Sequence, residues 1–277
     1  MADLRSIGAL TDEEFQHFRD VVYRETGINM SEMKRALLQS RLQRRLRVLN
    51  LPDYGSYRRW FDAHYDEELM HFINAVTTNK TDFFREDQHF DFMLTDALPA
   101  LVKKGQDRVR IWSAGCSTGE EPYSIAMTVH EFYEGKVPDV KILATDIDTQ
   151  VLETAQNGVY KAESLQDMDV GFAKKYFQKG TGPNAGLFRL KDPVRSLVTF
   201  KRLNLLEFNY PMKGKFDIIF CRNVIIYFDK PTQKKLFEYM YDFLDDDGYL
   251  FIGHSENLAP LTDTFRCLGR TIYRKVV

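Results

Sequence analysis

The residues best able to do chemistry concentrate in positions 110–126, Arg-Ile-Trp-Ser-Ala-Gly-Cys-Ser-Thr-Gly-Glu-Glu-Pro-Tyr-Ser-Ile-Ala. Gly115 and Gly119 supply a turn where a ligand can approach the backbone, and Glu120 and Glu121 stand at the start of the helix that Pro122 favours. A dinucleotide fingerprint needs glycines at G-x-G-x-x-G, so that pyrophosphate can rest on the helix N-terminus. Counted from Gly115, the second glycine position holds Ser117 and the third holds Glu120. Two carboxylates would face the phosphates, which disfavours a phosphate ligand. S-adenosylmethionine carries a sulfonium, an ammonium and a ribose diol but no phosphate, and fits this charge better. The same glutamates would equally complement the helix dipole with no ligand present.

A second acid belongs to the same arrangement. Residues 140–146 read as a buried strand ending in Asp146, 27 positions beyond Gly119, which suits one helical crossover. An acid at that place can accept hydrogen bonds from both ribose hydroxyls, or it can simply cap the next helix. The strands that position these groups are short apolar runs at 109–112, 140–146, 198–203, 216–220, 249–253 and 271–275. Four of them end in polar residues, and open parallel sheets bind ligands at that edge. Helices are expected at 87–104, 122–133 and 230–243, with Asp245-Asp246-Asp247-Gly248 as a turn. Between 160 and 197 the chain is too long for a simple crossover. A helix near 170–176 and two short runs around Gly180 to Gly186 predict an inserted hairpin, whose edge strand could accept a peptide. His254-Ser255-Glu256 reads as structural, because adjacent residues rarely face one another as a triad does.

The first 75 residues read as helices only. Thr11 with Glu14 forms a capping box, Phe15, Phe18, Val21 and Val22 make a stripe, and Gly27 can end the helix. The next helix, from near Ser31, is expected to pack through Met33, Leu37, Leu38, Leu42, Leu46 and Leu49, and it carries Lys34, Arg35, Arg41, Arg44, Arg45 and Arg47, with no acid between Met33 and Leu49. At about 100° per residue, Lys34, Arg41 and Arg45 share a narrow arc flanked by Arg44. This stripe is either an ordinary solvated face or a dock for an acidic partner, and the absence of interleaved aromatics favours protein over nucleic acid.

Composition narrows the class. A chain of 277 residues carries a prior of two domains, and 38 basic against 40 acidic residues argue against wholesale polyanion binding. Three separated cysteines indicate neither a disulfide framework nor a zinc site, and six dispersed histidines give no metal-ligand spacing, so no metal is expected. Without a signal-peptide pattern or an 18-residue apolar run, the expected location is cytoplasmic with no direct membrane insertion.

Together these residues resemble the chemotaxis receptor methyltransferase (CheR) family over nearly the whole chain. The motifs are Thr77-Thr78-Asn79-x-Thr81-x-Phe83-Phe84-Arg85, Trp112-Ser113-Ala114 through Glu120-Glu121-Pro122-Tyr123-Ser124, Thr145-Asp146-Ile147-Asp148, Asn204-Leu205-Leu206, Phe220-Cys221-Arg222-Asn223-Val224 and Gly253-His254-Ser255-Glu256-Asn257. The resemblance implies an α/β fold: a Rossmann-like class I S-adenosylmethionine-dependent methyltransferase domain (91–277) with a small antiparallel β insert (159–197). An all-helical N-terminal domain (1–76) precedes it, joined by a linker (77–90) that contributes to the cofactor site. It implies a protein-glutamate O-methyltransferase that esterifies chemoreceptor glutamates in their cytoplasmic signalling region and releases S-adenosylhomocysteine. By the same resemblance Asn79, Thr81, Arg85, Glu121, Asp146, Asn204, Leu205, Arg222 and Asn223 line the cofactor site, and Arg85 and Tyr227 sit closest to the transferred methyl. Lys34, Arg35, Arg41, Arg44 and Arg45 meet the acidic receptor surface, and in some members the insert docks a C-terminal receptor peptide. Many methyltransferases place an acid where this chain has Ser113, so Glu121 is expected to hold the cofactor's amino group. The competing readings are a nucleic-acid methyltransferase and a non-catalytic adaptor that senses the cofactor.

Overall fold

The structure, a computed structural model, describes residues 8–105 and 108–276. Its first unit is a helical bundle of α1 (Asp12–Thr26), α2 (Arg35–Leu49), α3 (Tyr54–Ala63) and α4 (Tyr65–Val76). The α1 capping box forms as the sequence predicts: the Glu14 amide donates to the Thr11 hydroxyl and the Thr11 amide to the Glu14 carboxylate. Gly27 ends the helix at φ 69°. Apolar side chains at helical spacing meet in the middle, with Phe18, Leu38, Leu42, Leu46, Tyr57, Phe61 and Phe72 fully buried. Of the residues expected on the packing side of the second helix, Met33 and Leu37 are instead left exposed.

The second unit is a seven-stranded sheet built from β1 (Arg108–Ala114), β2 (Asp139–Asp146), β6 (Val198–Arg202), β7 (Phe216–Cys221), β8 (Leu244–Ile252), β9 (Phe265–Gly269) and β10 (Ile272–Lys275). Its order is β6-β2-β1-β7-β8-β10-β9. The five strands from β6 to β8 run parallel, while β10 and β9 are antiparallel additions. Strand order reverses between β1 and β7, so the crevice for a ligand opens at the carboxyl ends of those strands. Alternation along β1 feeds two apolar layers: Val109 and Ile111 enter one, Trp112 and Ala114 the other.

A separate three-stranded antiparallel sheet, β3 (Val159–Lys161), β4 (Phe177–Lys179) and β5 (Leu187–Leu190), has β5 in the middle. The expected hairpin is β4 with β5; β3, too short to recognise by alternation, completes the sheet. Two further readings are corrected. The single helix expected over 87–104 is α-helical at Gln88–Phe92, a π turn at Met93–Ala97, and α-helical again at Leu98–Lys103. Pro99 has no N–H to continue the ladder, which accounts for a register change there. The acidic run 245–247 is not a turn but the start of β8, where Lys215 and Lys275 pair with Asp246, and Lys104 and Arg274 with Asp247. Those cations come from elsewhere in the chain, so the local sequence hides the strand. Among the described residues no helix is long and apolar enough to cross a membrane.

Candidate cofactor and substrate cleft

At the end of β1 the chain turns through Gly115, at φ 80°, where a Cβ would overlap the Val224 side chain. The amides of Gly115 and Cys116 donate to the Thr145 carbonyl at 2.8 and 2.9 Å, which fastens the turn to β2. The helix Glu120–Phe132 then begins, and its two leading glutamates diverge. Glu121 faces the cleft, whereas Glu120 turns aside and accepts from the Thr118 hydroxyl at 2.6 Å. Ser113 donates to Glu121 Oε1 at 2.7 Å, so the residue standing where an acid is common holds the acid one turn away. Burial pushes the Glu121 pKa up against the pull of Arg222 and Ser113.

Asp146 ends β2 with both oxygens engaged by backbone donors: Oδ2 accepts from the Ser117 amide at 2.8 Å and Oδ1 from the Asp148 amide at 3.0 Å. Burial raises its pKa to about 6 in spite of these bonds. A carboxylate oxygen has a second lone pair, so both can still accept from a diol. Asp148 caps the following helix through Oδ1, and its Oδ2 accepts from the Thr77 hydroxyl and the Asn79 amide, both at 2.7 Å. That carboxylate binds the segment after α4 to the sheet edge.

The segment after α4 lines one wall with Thr77 to Asp82 and Arg85. Phe83 and Phe84, costly to leave in water, pack into the core against Tyr160, Phe177, Phe90 and Phe172. Arg85 is half-buried and donates from its side chain to the Lys80 carbonyl at 3.1 Å. Opposite stands Arg222, its side chain 2 % exposed, with Nη2 3.2 Å from Glu86 and Nη1 3.5 Å from Glu121. Arg222 also donates to the Arg85 carbonyl. Burial works against the Glu86 charge, but Arg222 and the N–H donors of His254 and Asn223 outweigh it and hold its pKa below the ordinary value.

Sequence spacing leaves the histidines dispersed, yet the fold brings His89 and His254 to Glu86, with one ligand-type atom of each within 4.8 Å of the others. Arg222 already supplies positive charge to the same Glu86 oxygen, and Gln88 stands 2.5 Å from His254 Nε2. Burial and Arg222 lower the His89 pKa to about 4, so it is neutral at physiological pH.

The helical unit closes the cleft. Asn204 donates to the Glu25 carbonyl at 2.9 Å, and the Asn29 amide donates to the Tyr227 carbonyl at 2.8 Å. Lys34 lies 5.6 Å from the Tyr227 ring centroid. The resulting cleft is lined by Asn79, Thr81, Arg85, Glu121, Asp146, Asn204, Leu205, Arg222, Asn223 and Tyr227, so every residue expected at the cofactor or the methyl borders one space. Thr26, Ile28, Ile147, Val224 and Phe228 also line it. Sequence reasoning assigned none of these to the site: only tertiary packing brings Thr26 and Ile28, at the C-terminal end of α1, to this wall, and Ile147, Val224 and Phe228 are apolar residues after β2 and β7 with no chemistry to mark them.

The basic face of α2 is less uniform than its sequence. Arg45 pairs with Glu68 of α4, Arg35 with Asp12 and Glu32, and Arg41 donates to the Val76 carbonyl and the Thr78 hydroxyl. Arg44 and Arg47 are exposed and Lys34 is half-exposed beside Tyr227. The acids that compensate Arg35 and Arg45 come from outside α2.

Comparison with known proteins agrees with this layout. Residues 13–77 match the family model described as CheR methyltransferase, all-alpha domain, and residues 79–274 match CheR methyltransferase, SAM binding domain. The chain is 47% identical over 263 residues to chemotaxis protein methyltransferase 2 of Pseudomonas aeruginosa, covering 95% of this chain and 93% of that one. It is 42% identical over 266 residues to the chemotaxis protein methyltransferases of Salmonella typhimurium and Escherichia coli, covering 96% of this chain and 91% of each relative.

Proposed function

The chain belongs to the CheR methyltransferase family and is an S-adenosylmethionine-dependent methyltransferase of chemotaxis, and we propose that its substrates are glutamate side chains in the cytoplasmic signalling region of chemoreceptors. The products are glutamate methyl esters and S-adenosylhomocysteine. The observation that carries this reading is the cleft at the β1/β7 switch point, bordered by the linker, four strand ends and the helical unit.

The cleft's chemistry suits the cofactor without a phosphate site. In this reading Asp146 receives the ribose hydroxyls, Glu121 the ammonium, and Arg222 with Asn223 the carboxylate end, while Asn79, Thr81, Asn204 and Leu205 complete the walls. S-adenosylmethionine supplies the sulfonium-bound methyl. A glutamate side chain ionises near an unperturbed pKa of about 4.3, so the incoming carboxylate is already a nucleophile at neutral pH. No general base is needed, in keeping with buried Cys116 and Cys221 thiols whose pKa values burial drives well upward. The residues' task is to hold the attacking oxygen in line and to exclude water. Arg85 orients the carboxylate through its guanidinium fork, and Tyr227 aims its hydroxyl at the reacting end.

Residues 1–76 then act as the receptor-facing domain, 77–90 as the linker wall and 91–277 as the transfer domain, with 159–197 as its insert. Arg44 and Lys34 approach the acidic receptor surface, and a C-terminal receptor peptide adds along β4 beside Lys179, Arg189 and Arg195, three cations around one surface hollow. The cytoplasm, at receptor arrays reached through the substrate, is the location that follows. A nucleic-acid substrate is not favoured, because Arg41 and Arg45 turn inward and shorten the basic face that backbone phosphates would need.

The test is incubation with methyl-labelled S-adenosylmethionine and receptor-containing membranes, followed by mild alkali. Label released as volatile methanol identifies a carboxyl methyl ester; base-stable label, or label on added nucleic acid, overturns the substrate assignment.

A further inference from the structure

The stretch Gly253-His254-Ser255-Glu256 borders the cleft nowhere, yet Glu256 is buried and its carboxylate is heavily used. Oε2 accepts from the amides of Gly253 at 2.6 Å and Asn223 at 3.0 Å, and Oε1 accepts from the Ile225 amide at 3.0 Å. From the other side, the Gln233 amide donates to the carbonyls of Ile225 at 2.8 Å and Phe228 at 2.9 Å. One buried side chain thus accepts from backbone N–H groups of the segment after β7, and another donates to its carbonyls.

That segment is the cleft wall that carries Arg222, Asn223, Val224 and Tyr227. It is not a relaxed turn. Asn223 stands at φ 58°, a left-handed conformation that costs a side-chain-bearing residue free energy unless its surroundings enforce it. Glu256 grips the amide of that residue. Space at the grip is fixed as well: a Cβ on Gly253 would overlap the Asn223 side-chain amide and lie 2.9 Å from both the Asn223 amide nitrogen and Glu256 Oε2.

We infer that Glu256 is a positioning residue for the transfer site, its carboxylate setting the backbone of residues 223–227 so that Asn223 and Tyr227 reach the cleft at the required angle. The inference rests on the cofactor reading above. A carboxylate is the group this role needs. Its two equivalent oxygens receive three N–H donors, whereas a glutamine offers one oxygen and turns its NH₂ against at least one of them. Burying the charge has a cost, seen in a pKa raised by burial against the pull of the surrounding amides.

The test measures S-adenosylhomocysteine binding to the full chain by calorimetry, which needs no receptor. Glu256→Gln is expected to weaken binding tenfold or more. In an Asn223→Gly background, which keeps the positive φ and removes the side chain being delivered, the same change is expected to cost less than threefold. A merely structural role would produce equal losses in both backgrounds, and that result, or an affinity of Glu256→Gln within twofold of wild type, overturns the inference. Should Glu256→Gln not fold, Gly253→Ala leaves the carboxylate in place and presses on Asn223; it is expected to weaken binding tenfold, and wild-type affinity would overturn the inference. Failure of the wild-type protein itself to bind would overturn both this inference and the cofactor reading, and is told apart by appearing without any substitution.

Discussion

Arg45 forks onto Glu68, with Nε 2.7 Å from Oε1 and Nη2 2.6 Å from Oε2, and the Glu68 side chain is 1 % exposed. A third donor, the Tyr57 hydroxyl, reaches Oε1 at 2.9 Å. This pair joins α2 to α4 and turns a member of the basic stripe into a structural residue of the bundle.

The stripe therefore divides under mutation. Arg45→Ala leaves a buried carboxylate without its cation, and is expected to cost about 3–5 kcal/mol in urea unfolding. Arg44→Ala is expected to stay within about 0.5 kcal/mol of wild type. Its effect should fall on the receptor: a raised KM for receptor methylation with kcat unchanged, shrinking as salt is added. Equal stability losses at the two positions would refute the division.

With Asp146 proposed as the acceptor of the ribose hydroxyls, cofactor affinity is expected to depend on pH. Its folded pKa of about 6 exceeds the unfolded value of about 3.9, so the native chain binds more protons between those limits. Stability contributed by this group is thus present below the window and is lost as pH rises through it. Ligand binding should run the other way, because a diol donates to the ionised carboxylate. S-adenosylhomocysteine affinity is expected to rise about tenfold from pH 5 to pH 7. Asp146→Asn should bind weakly and without that slope; a retained slope would assign it to another group.

Arg85 tests the positioning argument. Its side chain donates to one carbonyl of its own segment, so Arg85→Ala should shift Tm by only a few degrees. Turnover should fall by about 10² or more, as misplacing the nucleophile does. Single-turnover methylation with near wild-type rates would remove Arg85 from the chemistry.

Asp148 tests whether the linker wall is held from the sheet edge. Asp148→Ala removes a helix cap and two side-chain hydrogen bonds to Thr77 and Asn79, an expected loss of about 2–4 kcal/mol. Limited proteolysis should cut near residues 77–82 faster than in wild type. Unchanged cleavage would mean that Phe83 and Phe84 alone hold the segment.

Much of the molecule can be read directly along the chain. Apolar runs ending in polar residues mark the parallel strands because a strand buried on both faces tolerates little else. Carboxylates after Gly119 argue against phosphate, and Asp146 at the end of β2 points to a diol, because charge and position are local facts. The ordered motifs carry the family resemblance. What folding alone decided is everything set by partners distant in sequence. The Glu68 that engages Arg45, the cations that turn 245–247 into a strand, and the meeting of His89 with His254 come from segments that no local pattern connects. The same holds for Glu120 and Glu121, neighbours of identical chemistry: a helix turns about 100° per residue, so only one of them can face the cleft. Glu256 is the clearest case. In sequence it reads as structural with no partner in view, and only tertiary packing brings its carboxylate to the amides of Asn223 and Ile225, about thirty residues away.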